Sequence, residues 1–133
     1  LGAEHAVRAG AEDVAARVRE LTGGRGADAV FELVATKDTM AASVKMLAKR
    51  GRLVFVGYSE DGFQVHPIQL VIGEQIVTAS VGNTLAELRE AVDLVATGRV
   101  KTVVDRTLPL DRFEEGFAAL RDGRLVGRAV LVP

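Results

Sequence analysis

The sequence predicts an α/β fold built on a largely parallel sheet. Two observations predict it. Short, near-continuous apolar runs recur along the chain, as strands covered on both faces require. Between them lie stretches with helical spacing of apolar residues and their own start and stop signals. With 133 residues, 48% of them apolar, the chain fits one domain or a large piece of one, and a core can form without staples.

His5-Ala6-Val7 reads as a short strand. Val14, Val18 and Leu21 share one helical face, Glu12 and Asp13 sit in the first turn, and Gly23 ends the helix. Ala29-Val30-Phe31 with Leu33-Val34 forms a buried strand. Thr36 caps a helix burying Met40, Val44 and Leu47, which Gly51 stops. Leu53-Val54-Phe55-Val56 is the next buried strand, ending at Gly57. A polar loop from Ser59 to Gln64 leads to a short helix from Pro67 through Ile72. Ile76 to Val81 is a strand. Thr84 and Glu87 form a capping box for a helix with Leu88, Val92 and Val95 on one face and Gly98 beyond its end. Val100 to Val104 is a further strand. Asp111 and Glu114 repeat the capping pattern for a helix carrying Phe113, Phe117 and Leu120 inward, and Gly127 to Val132 closes the chain as a strand.

Composition excludes several function classes. A net charge of -1 lacks the basic stripe of a nucleic-acid binder. The absence of cysteine removes disulfides and thiolate zinc sites, and leaves the redox compartment open. No apolar run approaches the roughly 20 residues of a membrane span. Glu4, Arg8, Glu12, Asp13, Arg17 and Arg19 are incompatible with a signal peptide, so a soluble, cytoplasmic protein is the expectation. Leu1 in place of a methionine implies that something has been removed or was never included.

In open α/β sheets, ligands sit at the carboxyl ends of strands. Three loops qualify: Val34-Ala35-Thr36, Val56-Gly57-Tyr58 and Val81-Gly82-Asn83. Their small residues would let a ligand approach the backbone, although Gly57 and Gly82 could equally just turn the chain. Catalytic constellations are absent: there is no G-x-S-x-G elbow, and Tyr58 has no lysine four residues later. His5 and His66 lie far apart, and His66 reads as a solvated loop histidine. Asp28 and Glu32 share a strand face, with Asp28 expected in solvent and Glu32 hydrogen-bonded to backbone; neither is assigned catalysis. The cluster Gly23-Gly24-Arg25-Gly26 follows a helix and precedes a strand, the wrong direction for a phosphate loop, and reads as a turn. A methyltransferase would also need a glycine-rich turn before a helix, which is not seen.

Four segments carry a resemblance: Leu1-Gly2-Ala3-Glu4-His5, Leu21 through Glu32, Lys49 through Gly57, and Leu110 through Phe117 continued by Val126 through Leu131. In this order they resemble the zinc-type alcohol dehydrogenases and quinone reductases of the medium-chain dehydrogenase/reductase superfamily. The resemblance covers essentially the whole chain. It implies a partial Rossmann-type, doubly wound sheet from its third strand onward, without the first two strands, the G-x-G-x-x-G turn or the acidic residue that reads the ribose. Residues 1–133 would then be the C-terminal portion of a dinucleotide-binding domain, with a closing segment from about residue 100 that returns to the catalytic domain.

The resemblance also implies a role for each loop. Val34, Ala35 and Thr36 would border the adenosine side or the nicotinamide ribose, with Ala35 where the family usually has glycine. Val56, Gly57 and Tyr58 would flank the nicotinamide, through backbone groups more than side chains. Ser80, Val81 and Asn83 match the loop after the family's sixth strand, and Arg128 matches a basic residue that meets the pyrophosphate; its alternative is a solvated surface charge. The cofactor would be NAD or NADP. Any zinc would belong to the parent protein and not to this chain, which is assigned no catalytic or metal-binding residue; the quinone-reductase branch needs none.

The implied function is that of a fragment of an NAD(P)-dependent oxidoreductase, moving hydride between NAD(P)H and an alcohol, carbonyl, enone or quinone in the intact parent. The alternative is a non-catalytic remnant acting as a dimerisation or binding module, with homodimers formed through strand 76–81. Under the expected strand order 3-2-1-4-5-6, the strand at His5 would lack its neighbour, and the isolated chain would be less stable and prone to self-association.

Overall fold

The computed structural model describes residues 2–133, which form two compact units, 2–82 and 83–133. Unit 2–82 begins without regular structure. Residues 5–7 are not a strand, and only an isolated bridge joins Ala9 to Glu12. A strand at a sheet edge needs a partner ladder, and His5-Ala6-Val7 has none.

Helix α1 (Val14–Leu21) is capped by the Asp13 side chain, which accepts from the Ala16 amide. Its end is a Schellman turn: the Gly24 amide reaches the Arg19 carbonyl at 2.7 Å and the Gly23 amide the Glu20 carbonyl at 3.1 Å. Both glycines have positive φ, so the cluster is indeed a turn. Thr22 ties this turn to the next strand, donating to the Val18 carbonyl and accepting from the Gly26 amide.

Strand β1 (Ala27–Glu32), helix α2 (Lys37–Met46), strand β2 (Leu47–Phe55), helix α3 (Pro67–Gly73) and strand β3 (Ile76–Ala79) follow. The three strands form one parallel sheet in the order β1-β2-β3. Leu47 and Leu53 of β2 are fully buried at its centre, with Met40 and Ser43 of α2 packed in the same core. Gly51 does not stop α2. The helix ends at Met46 and the chain enters β2 directly, the register slipping from Ala27↔Leu47 to Ala29↔Arg52 through a bulge that holds Arg50 at φ 62. Arg19 closes the end of α2 by donating to the Lys45 and Leu47 carbonyls.

The strands also stop earlier than their apolar runs. Leu33 and Val34 lie beyond β1, Val56 beyond β2, and Ser80 and Val81 beyond β3. Phe31 is 64% exposed and Leu33 66%, so β1 is not covered on both faces.

Unit 83–133 contains helix α4 (Leu85–Ala96), strand β4 (Val104–Pro109), a 3-10 turn (Leu110–Arg112), helix α5 (Phe113–Arg121) and strand β5 (Arg128–Val132). The Thr84–Glu87 capping box forms, and the Glu87 carboxylate takes both the Thr84 amide and its hydroxyl. No residue of α4 is buried; Leu88, Val92 and Val95 lie on the surface.

β4 and β5 pair in parallel as a two-stranded sheet. The strand expected at Val100–Val104 is displaced to 104–109, because its extent is set by pairing with β5 and not by its own apolar run. The Asp111 cap does not form: residues 110–112 make the 3-10 turn, and α5 starts without a side-chain cap. Nor does α5 turn its large residues inward. It packs through Gly116 and Ala119, with Gly116 facing Leu108 and Ala129. Phe117 and Leu120 are 63% and 62% exposed, rotated onto the flank of the small-residue contact. Among the described residues no helix is long and apolar enough to cross a membrane.

Candidate functional site

The parallel sheet brings the ends of β1, β2 and β3 side by side, and their loops carry most of the singled-out residues. Glu32, the last residue of β1, organises this edge. The residue is 4% exposed, yet its carboxylate accepts from several donors: the Ala35 amide at 2.8 Å, the Val34 amide at 3.0 Å, Thr39 Oγ1 at 3.2 Å and Ser43 Oγ at 2.7 Å. Burial by itself would raise the Glu32 carboxyl. The bonds from Ala35, Ser43, Val34 and Thr39 outweigh it and hold the group below the usual glutamate range. The Glu32 main-chain carbonyl accepts the Val56 and Gly57 amides, both at 2.9 Å. Asp28, four residues back, pairs instead with Arg25 at the exposed start of β1.

The loop after β1 is held on its other side as well. Ser59 Oγ donates to the Ala35 carbonyl, and Asp61 accepts the Lys37 amide at 2.8 Å. Ala35 is buried at φ 62, a left-handed conformation unusual for a residue with a Cβ. Thr36 caps α2, its side chain accepting the Thr39 amide while Thr39 Oγ1 accepts the Thr36 amide. The first turn of α2 is thus occupied by the protein's own oxygens.

Gly57 lies where two backbone segments pass closely. A Cβ there would lie 2.1 Å from the Leu33 carbonyl oxygen, so the glycine is required by backbone packed against backbone. Gly82 has φ 62, a conformation open to glycine, with nothing within 4 Å of where a Cβ would stand.

The structure therefore joins Val34, Ala35, Thr36, Val56 and Gly57 through Glu32, and places Ser80 beside them, its amide donating to the Phe55 carbonyl at 2.8 Å. Val34, Val56, Tyr58 and Val81 are 58%, 45%, 89% and 93% exposed, an uncharged, apolar rim on the sheet's carboxyl edge. The amides of Val34 and Ala35 point inward to Glu32, so they do not face a ligand.

Asn83 and Arg128 belong to the other unit. Asn83 Nδ2 donates to the Thr84 carbonyl. The Arg128 amide donates to the Val103 carbonyl, and its side chain borders an apolar groove of about 330 Å³ with Phe113, Phe117, Leu120 and Leu131. Sequence reasoning placed Glu32 at a strand end with backbone partners but missed Ser43, Thr39, Ser59 and Asp61. Their separations from the loop they hold follow no local periodicity.

The donor set does not fit zinc. The chain has no cysteine, and among the described residues no group of three His, Cys, Asp or Glu side chains could hold a metal ion.

Comparison with known proteins places this geometry. A family profile described as zinc-binding dehydrogenase matches residues 1–131. A NAD-dependent alcohol dehydrogenase of Sulfurisphaera tokodaii is 32% identical over 133 residues, which cover 99% of this chain and 38% of that protein. The D-arabinose 1-dehydrogenase (NADP(+)) of Saccharolobus solfataricus is 28% identical over 122 residues, 92% of this chain and 35% of that protein. The crystal structure of the Aeropyrum pernix alcohol dehydrogenase matches with a TM-score of 0.91 at 33% identity, over 99% of this chain and 38% of its own. The chain spans about 38% of the length of the first curated relatives it matches, and its parallel α/β architecture is the Rossmann-like fold of these dehydrogenases. The chain belongs to the zinc-binding dehydrogenase family of the medium-chain dehydrogenase/reductase superfamily.

Proposed function

We propose that this chain supplies the nicotinamide-proximal part of the cofactor site of an NAD(P)-dependent oxidoreductase. The observation that carries the reading is the uncharged rim of Val34, Val56, Tyr58 and Val81 at the carboxyl edge of a parallel sheet. A flat, weakly polar ring suits such a surface, and the cofactor, when bound, supplies or takes up the hydride. The residues of this chain bind and orient it: Val34, Val56 and Val81 exclude water, Tyr58 covers an exposed flank, and Ala35, Thr36, Gly57 and Ser80 fix the loops. For Asn83 and Arg128 a cofactor role rests on the resemblance alone.

In the whole protein the reaction would be hydride transfer between NAD(P)H and an alcohol, carbonyl, enone or quinone. Any zinc would be held outside this segment. The segment from about residue 100 would serve as the return to the catalytic domain.

The test is fluorescence titration of the full-length protein with NADH and with NADPH, wild type beside Val56→Asp. A charge on the rim, desolvated only when the nucleotide covers it, should weaken binding by at least roughly tenfold. Failure of both nucleotides to bind the wild type, or equal binding by the variant, would overturn the reading.

A second reading concerns assembly. β3 is an edge of its three-stranded sheet and carries Ile76, 47% exposed. An open edge of this kind suits pairing with a second copy through residues 76–81.

A further inference from the structure

The side chain that organises the carboxyl edge lies buried beneath the rim it supports and holds it through the Val34 amide. We propose that Glu32 and Ser59 act together as positioning residues for the cofactor site, clamping the loop after β1 from both sides of Ala35. This rests on the cofactor reading given above and extends it to residues that would not touch the cofactor.

The clamp is specific in its chemistry. Glu32 Oε1 takes the Val34 and Ala35 amides at 3.0 and 2.8 Å, while Ser59 Oγ donates to the Ala35 carbonyl. Both polar groups of Ala35 are therefore satisfied by side chains 3 and 24 residues away, one from β1 and one from the loop after β2. This matters because Ala35 sits at φ 62, a conformation that its Cβ disfavours. Such a backbone persists where its surroundings over-determine it. Ser43 Oγ, bonded at 2.7 Å to Glu32 Oε2, orients the carboxylate from behind.

The same residue reaches across to β2. The Glu32 main-chain carbonyl receives the Val56 and Gly57 amides, so one position fixes the departure of the chain from both β1 and β2. Val34 and Val56, the rim residues on those two loops, inherit their placement from it. Supporting groups of this kind set how tightly a site holds its ligand without meeting it.

The test is NADH titration and steady-state kinetics of the full-length protein in wild type, Glu32→Ala, Glu32→Gln and Ser59→Ala forms. Glu32→Ala should weaken NADH binding by roughly tenfold or more and raise the coenzyme KM, with kcat at saturation changed far less. Glu32→Gln keeps an oxygen for the two amides and can donate to Ser43, so binding should return to within about threefold of wild type. A folded Glu32→Ala that binds NADH like wild type, or a Glu32→Gln as weak as Glu32→Ala, overturns the proposal.

Ser59 is exposed, and its replacement leaves the core untouched. If Glu32→Ala does not fold, Ser59→Ala decides: about threefold weaker binding supports the clamp, and wild-type binding overturns it. Wild type that binds neither NADH nor NADPH would instead sink the cofactor reading itself, so the two failures are told apart.

Discussion

Replacing Gly57 with alanine should be one of the most damaging single-methyl changes in this protein. The added Cβ would sit 2.1 Å from the Leu33 carbonyl oxygen, 2.2 Å from its carbon and 2.7 Å from the Val34 nitrogen. Ordinary contacts for such atoms are about 3.5 Å, so relieving the shortest one requires a separation of about 1.4 Å. All three atoms are main chain and cannot rotate away, and the loop they belong to is tied down by Glu32 and Ser59. Overpacking of this kind costs about 1–3 kcal/mol. Separation also strains the Val56 and Gly57 amide bonds to the Glu32 carbonyl, both 2.9 Å. Loss of one adds about 1 kcal/mol, for a total of about 2–4 kcal/mol.

Urea unfolding followed by circular dichroism measures this, with the slope compared between variants to confirm that only stability has changed. Gly62→Ala is the control, because nothing lies within 4 Å of its Cβ position and its φ is not left-handed. It should gain a few tenths to about 1 kcal/mol from a stiffer unfolded chain. A Gly57→Ala loss below about 1 kcal/mol would refute the close-approach argument.

Other perturbations reach different features. Thr84→Ala removes the acceptor of the Glu87 amide and should cost about 1 kcal/mol, seen as lost helix signal from the segment 85–96. Glu32 has a folded-state value below its ordinary one, so its carboxylate stabilises the fold above the usual glutamate range, and that contribution disappears as pH falls through the lowered folded value. Its partners are amides and hydroxyls that do not titrate in that window, so Glu32→Gln should flatten the acid limb of a stability–pH curve; an unchanged limb would assign acid unfolding to other groups. Ile76→Lys on the edge strand should lower the concentration-dependent molar mass in light scattering, and equal association by wild type and variant would rule out pairing through β3.

Local chemistry was the legible part of this fold. Thr36 and Thr84 cap their helices at the positions their residue types demand, and Gly23-Gly24 closes α1; Glu12 and Asp13, expected in the first turn of α1, instead precede it, with Asp13 as the N-cap. Such signals lie within a turn of the bond they make. Strand ends were less legible, because the apolar run through Leu33 and Val34 outlasts β1, whose length is set by its partner β2. Helix facing failed in α5 for a related reason. The aromatic stripe looked like the buried side, whereas the contact with β4 and β5 needs the small face of Gly116 and Ala119. At the candidate site, the positions of Val34, Val56 and Tyr58 followed from strand topology. The clamp did not, since Ser43 and Ser59 reach it across 11 and 24 residues of chain.

The uncovered stripe of α4 has a consequence for the timescale on which that helix exists. None of its 12 residues is fully buried, and isolated helices of such length are marginal in water even with good caps. Its amides should therefore exchange with solvent through local fraying, at rates independent of denaturant, while those of β2 wait for cooperative opening. Whatever comes to lie against Leu88, Val92 and Val95 would have to order that helix as it binds, and part of the contact energy would go into the ordering.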